Sequence, residues 1–236
     1  MSSMSVHGFL PSTYALHFPN DFPPAPIFRL GLGSARIPIG SAANGLCGGM
    51  VFAARDLFEA GVPAPPDRVP PPRGAPLFRF LVRRLFASFD LPVGPLRYWV
   101  WMARPTVGGG AARGLTGRTI EREWPKVKAE IDGGRLSALG LIRTRSINPL
   151  SLGLNHQVLA YGYDSDDEAG TVALSVYDPN HPDGDALPLV LRTSGADRGI
   201  EYVAGELPVR GFFRTRYRPP RARSLRLLQQ SGATMP

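Results

Sequence analysis

Asn44-Gly45-Leu46-Cys47-Gly48-Gly49-Met50-Val51-Phe52-Ala53-Ala54 holds the only cysteine of the 236-residue chain. Small residues surround the thiol, and an apolar run of helical period follows directly. Met50, Ala53, Ala54, Leu57 and Phe58 recur at the i, i+3, i+4, i+7, i+8 spacing of a buried helical face, with Arg55, Asp56 and Glu59 largely opposite. Gly61 is the expected C-terminal stop and Pro63 blocks continuation. The stretch therefore predicts a loop that delivers a lone thiol to the first turn of a helix. The unpaired N–H groups and the dipole at that end favour the thiolate.

A thiolate nucleophile needs a base, and the base needs a group to hold its tautomer. Of four histidines, His7 and His17 fall in an N-terminal segment without clear period, and His181 falls in the turn Asn180-His181-Pro182-Asp183. His156 instead opens an apolar strand, Gln157 to Tyr163. The acidic turn Asp164 to Gly170 and the returning strand Thr171 to Tyr177 complete a hairpin. Pairing across that hairpin brings Tyr177-Asp178-Pro179-Asn180 back beside His156. Asp178 is the expected orienter, Asn180 the alternative.

Elsewhere the chain reads as short elements. Ile27 to Ile39 carries a strand, and Pro63 to Pro76 is a proline-rich loop. Leu77 to Phe89 is an amphipathic helix, expected to pack on the core in preference to a membrane surface. Leu91 to Arg118 is a loop or short helix around Tyr98, Trp99 and Trp101. Thr119 to Asp132 carries one or two helical turns, with Pro125 opening the second piece, Leu136 to Arg143 is a buried strand, and short strands follow near residues 187–192, 200–204 and 209–217. Helices thus dominate up to about residue 133 and strands beyond it. The expected fold class is α+β, one domain over 1–236, with a helical lobe at about 40–133, a β lobe at about 134–218, and termini that are partly irregular.

Composition narrows the function classes. Hydrophobic residues make up 43%, enough for a sizeable core, and 27 Gly with 25 Pro argue against a helical bundle. The net charge is +8, but only Lys126 and Lys128 of the 27 basic residues are lysines, and no nucleic-acid recognition motif accompanies the charge. The expectation is therefore against a nucleic-acid partner. One cysteine excludes an internal disulfide and any Cys-pair zinc site. No secretion signal or run of membrane-spanning length is present, which points to a cytoplasmic protein with leaderless export left open. No cofactor is expected. Zinc held by Cys47, His156 and Asp178 is a minor rival, because their spacing carries no metal signature.

The order of these pieces resembles the papain-like cysteine peptidase superfamily, and within it the bacteriocin-processing, C39-like branch. The matching stretches are Asn44–Ala54, Asn155–Tyr163 and Val176–Pro179. The resemblance implies a two-lobed fold, a helical lobe with the nucleophile helix and a lobe of antiparallel sheet or barrel. It implies a Cys47–His156–Asp178 triad acting on a peptide or amide substrate through an acyl-thioenzyme. Such enzymes place a Gln a few residues before the Cys to bind the oxyanion. None lies upstream here, so Asn44 is the expected substitute, with Ser41 the weaker option and the Cys47 N–H the second donor. The alternatives are an amidase or acyltransferase on a small-molecule or carrier-bound substrate, and a non-catalytic binding module that keeps the shape.

Overall fold

The computed structural model describes residues 1–23, 28–32, 35–39, 45–91, 93–108, 114–195, 197–205 and 207–220. The chain is mixed helix and sheet, 34% helical and 22% strand, built on an antiparallel half-barrel sheet. In chain order the elements begin with β1 (Ser2–Ser5), α1 (Pro11–Tyr14), β2 (Phe28–Leu32) and β3 (Ala35–Ile39). Then come α2 (Cys47–Glu59), α3 (Pro76–Ser88), α4 (Val93–Ala103), α5 (Leu115–Arg118), a π-helical turn (Thr119–Glu123) and α6 (Trp124–Asp132). The second half holds β4 (Ser137–Ile142), a 3-10 turn (Pro149–Leu154), β5 (His156–Asp166), β6 (Thr171–Tyr177), β7 (Leu187–Arg192), β8 (Gly199–Tyr202) and β9 (Gly211–Arg214).

The main sheet runs β8-β7-β6-β5-β4-β9, all antiparallel. β5 is long enough to be shared. Its first half pairs with β4, and its second half pairs with β1. The N-terminus is therefore part of the sheet, and Phe9, Leu16 and Phe18 are buried. The N-terminal segment, read from the sequence as without clear period and partly irregular, thus contributes an edge strand and core residues. The opening run of Ser, Met, Val and His carries too little alternation to announce an edge strand, and β1 exists because β5 offers it an unpaired edge. Ile27 to Ile39 is likewise two strands, β2 paired with β3, not one.

α2 sits between two cores. Val51, Phe52 and Ala54 join the large cluster on the sheet with Leu139, Val158 and Tyr177. Met50, Ala53 and Leu57 join a second cluster with Phe78, Leu81 and Leu85 of α3. A helix covered on both sides has no solvated face. Arg55 and Asp56, read from the sequence as outward, are accordingly buried. Asp56 pairs with Arg84 of α3 at 2.6 Å and accepts the Tyr217 hydroxyl at 2.7 Å, while Arg55 donates to the Leu136 carbonyl and stacks over Tyr217. Buried ions thus stitch α2 to α3 and to the strand after β9. Close approach needs Gly49: a Cβ there would lie 2.3 Å from the Leu81 carbonyl oxygen.

α3 places its apolar face on this second core, which settles its reading as a packing helix. The 91–118 region, expected as loop or short helix, contains the eleven-residue α4. The helix forms because Tyr98, Trp101 and Met102 bury one face with Leu115, Ile142 and Phe213. No helix among the described residues is long and apolar enough to cross a membrane. The arginine-rich tail beyond residue 220 lies outside the described residues.

Candidate active site

Cys47 is the first residue of α2, and Leu46 supplies no side-chain cap. No acidic residue occupies the first turn. The open N–H groups of that end are left to Cys47, which is partly exposed. Burial alone would raise the Cys47 pKa. A hydrogen bond and the positive charge of His156, together with the Gln157 and Gly48 backbone N–H groups, outweigh it and hold the thiol below its usual value.

His156 opens β5 and is buried. Its Nε2 lies 2.6 Å from Asp178 Oδ1, which leaves Nδ1 for the thiol. Desolvation opposes the imidazolium, but Asp178 on one side and Cys47 on the other push the His156 pKa up to about 9. The Asp178 carboxyl is fully buried. Burial works to raise its pKa, yet the His156 ring, the Tyr202 hydroxyl (2.6 Å) and the Asn180 N–H (2.8 Å) hold it below the usual range. The three groups form a chain of hydrogen bonds, from the Cys47 thiol to the His156 imidazole to the Asp178 carboxylate. Among the described residues no group of three or more His, Cys, Asp or Glu side chains converges so as to hold a metal ion.

A bulge decides that His156 and Asp178 share a face. From Asp166↔Thr171 to Gly162↔Ser175, β5 and β6 run in one register; from Ala160↔Val176 to Leu159↔Tyr177 they run in another, one residue displaced. Continued without the shift, the first register would place Asp178 opposite Leu159, on the face of Gln157. The shift at Tyr161 places it opposite Val158, on the face of His156. The sequence signals the hairpin but not its bulge, so the pairing follows from spacing while its facing does not.

The other expected residues divide. Asn44 and Ser41 lie outside the described residues. Asn180 does not orient His156: its backbone N–H serves Asp178, and its side chain accepts from Asn20 Nδ2 at 3.2 Å. His17 pairs with Asp183 and His181 with the Ala204 carbonyl, while His7 is exposed, so none competes with His156.

Two residues were not legible in the sequence. Tyr202, on β8, anchors the free oxygen of Asp178 from two strands away and has no spacing signature. Asn20 braces the nucleophile loop. Its Oδ1 accepts the Leu46 N–H at 2.6 Å, and its backbone N–H donates to the Pro179 carbonyl at 2.9 Å. One residue thus ties the position before Cys47 to the position after Asp178. Gly45 makes room for it: φ is +81°, and a Cβ would lie 2.3 Å from Asn20 Nδ2. Behind the thiol, Gln157 Nε2 donates to Ser88 Oγ at 3.2 Å, and Tyr98 is buried against Gly140. Burial and then the Cys47 charge push the Tyr98 hydroxyl well above its usual pKa.

Comparison with protein-family models, with curated proteins and with solved structures finds no match to this chain.

Proposed function

We propose that the chain is a cysteine hydrolase of papain-like, two-lobed architecture that cleaves peptide or amide bonds through an acyl-thioenzyme. The observation that carries the reading is the imidazole of His156 set between the helix-N-terminal Cys47 thiol and the buried Asp178 carboxylate. In this reading the Cys47 thiolate attacks the substrate carbonyl and forms the S–C bond. The oxyanion is met by the Cys47 N–H, which at the first helical position has no helical acceptor. The C–N bond then breaks as the leaving amine takes the Nδ1 proton of His156. Neutral His156 next takes a proton from water as the water oxygen bonds the acyl carbon, and the S–C bond breaks, which releases the acid and restores the thiolate–imidazolium pair. Asp178 and Tyr202 hold the ring in place and touch no reacting atom. The same residues serve acyl transfer when an amine replaces water.

The test is labelling with a broad cysteine electrophile, followed by screening for amide hydrolysis. The wild type labels at Cys47 and turns over an amide library, and Cys47→Ala does neither while keeping its melting temperature. Hydrolysis that persists in Cys47→Ala contradicts the proposal. Turnover that appears only with an added amine reassigns the site to acyl transfer.

A further inference from the structure

Of the fifteen large hydrophobic side chains exposed among the described residues, eight lie in 91–100 and 147–154. The two segments are one surface. Trp99 Nε1 donates to the Ile147 carbonyl at 2.7 Å, and the Ser146 N–H donates to the Met102 carbonyl at 3.3 Å. Tyr98, Trp101 and Met102 turn one side of α4 into the core, so Val93, Leu96, Trp99 and Val100 form its outer stripe. Ile147 and Leu150 stand beside it at 77% and 88% exposure. An exposed apolar stripe of this kind marks a binding surface, and the charge around it selects the partner.

The charge around the stripe is mostly positive. Arg97, Arg104, Arg118, Arg143 and Arg145 lie in or beside the two segments, and the carboxylates nearest α4 are already paired, Glu123 with Arg97 and Lys126 and Asp90 with Arg218. Arg210 binds the two segments by donating to the Arg104 carbonyl at 2.6 Å and the Thr144 carbonyl at 2.7 Å. Arg104 and Arg145 flank the stripe there, Arg104 half-buried and Arg145 exposed, and neither forms an ion pair with a carboxylate among the described residues. Arg145 lies close enough to Arg210 to help lower its pKa, after desolvation.

We propose that this face docks the protein on an anionic lipid surface. Ile147, Leu150 and the outer stripe of α4 enter the acyl boundary, and Arg104 and Arg145 meet the headgroups. Leu154 is two residues before His156, so the docked face borders the Cys47 site, but the proposal does not rest on catalysis there.

Sedimentation of the full chain with phospholipid vesicles tests it. Vesicles with about one-third anionic lipid should carry the protein down, and purely zwitterionic vesicles or raised salt should carry down less. Ile147→Asp with Leu150→Asp should lower the partition coefficient about tenfold or more. Arg145→Glu, an exposed change that keeps the test valid should the double variant misfold, should lower it about fivefold. Cys47→Ala should bind like the wild type. Absence of binding to anionic vesicles overturns the proposal, as does binding that survives both sets of changes in folded protein. Patch variants that alter self-association in solution and leave vesicle binding unchanged overturn it in favour of a protein interface.

Discussion

Asp178→Asn removes one charge from the site and preserves its shape. The carbonyl oxygen of the introduced carboxamide can still accept from His156 Nε2, as the carboxylate does at 2.6 Å, and from the Asn180 N–H, while the Tyr202 hydroxyl turns to accept from the new amide. What disappears is the negative partner of the imidazolium. A charge-assisted hydrogen bond exceeds a neutral one by about 1–2 kcal/mol. Two unit charges about 4–5 Å apart at an effective dielectric of about 20 interact by about 3–4 kcal/mol. At about 1.4 kcal/mol per pH unit, these bounds move the His156 titration from about 9 to between about 6 and 8. The assay is an NMR titration of the imidazole signals, with the four histidines assigned by substitution. Alkylation of the lone cysteine, followed over the same pH range, should slow at neutral pH because less imidazolium supports the thiolate. A His156 midpoint that stays near 9 in Asp178→Asn would refute the assignment of Asp178 as the group that sustains the charge.

Two further substitutions probe the frame. Asn20→Ala should destabilise the protein by about 1–2 kcal/mol, because two hydrogen bonds to a half-buried carboxamide are lost, and should slow Cys47 alkylation as the loop at Gly45 and Leu46 loosens; thermal melting and iodoacetamide kinetics read the two effects, and unchanged alkylation would reduce Asn20 to a structural brace. Arg84→Met should cost about 3–5 kcal/mol in urea unfolding by stranding buried Asp56, and adding Asp56→Leu should restore part of that loss, whereas additive losses would show that the pair is not coupled.

Local chemistry was legible in the sequence where one segment determines it. The helix after Cys47, the hairpin from His156 to Asp178 and the buried strand at β4 follow from periodicity and turn residues, and the structure brings Cys47, His156 and Asp178 together. What the sequence did not carry was set by distant segments. β1 is a strand because β5 has an edge to fill. α4 is helical because Phe213 and Ile142 cover its inner face. Arg55 and Asp56 break the amphipathic pattern of α2 because α3 closes its second side. The bulge at Tyr161 changes which side chains share a face without changing the alternation that signals a strand. Asn20 and Tyr202 reach the site from 26 residues before Leu46 and 24 after Asp178, through hydrogen bonds that no spacing rule announces.

The pH dependence of alkylation at Cys47, the only thiol in the chain, decides whether the thiolate–imidazolium pair exists when wild type is set beside His156→Ala. In the structure the thiol lies below its usual value of 9.0 and the imidazolium titrates at about 9. Between the lowered thiol pKa and the raised imidazolium pKa the site holds thiolate and imidazolium together. Wild-type alkylation should therefore persist below the range in which an ordinary thiol reacts. His156→Ala should raise the Cys47 midpoint to the ordinary value or above it, because burial then acts unopposed by the imidazolium. An ordinary Cys47 midpoint in the wild type, indifferent to His156→Ala, would contradict the ion pair and with it the proposed chemistry.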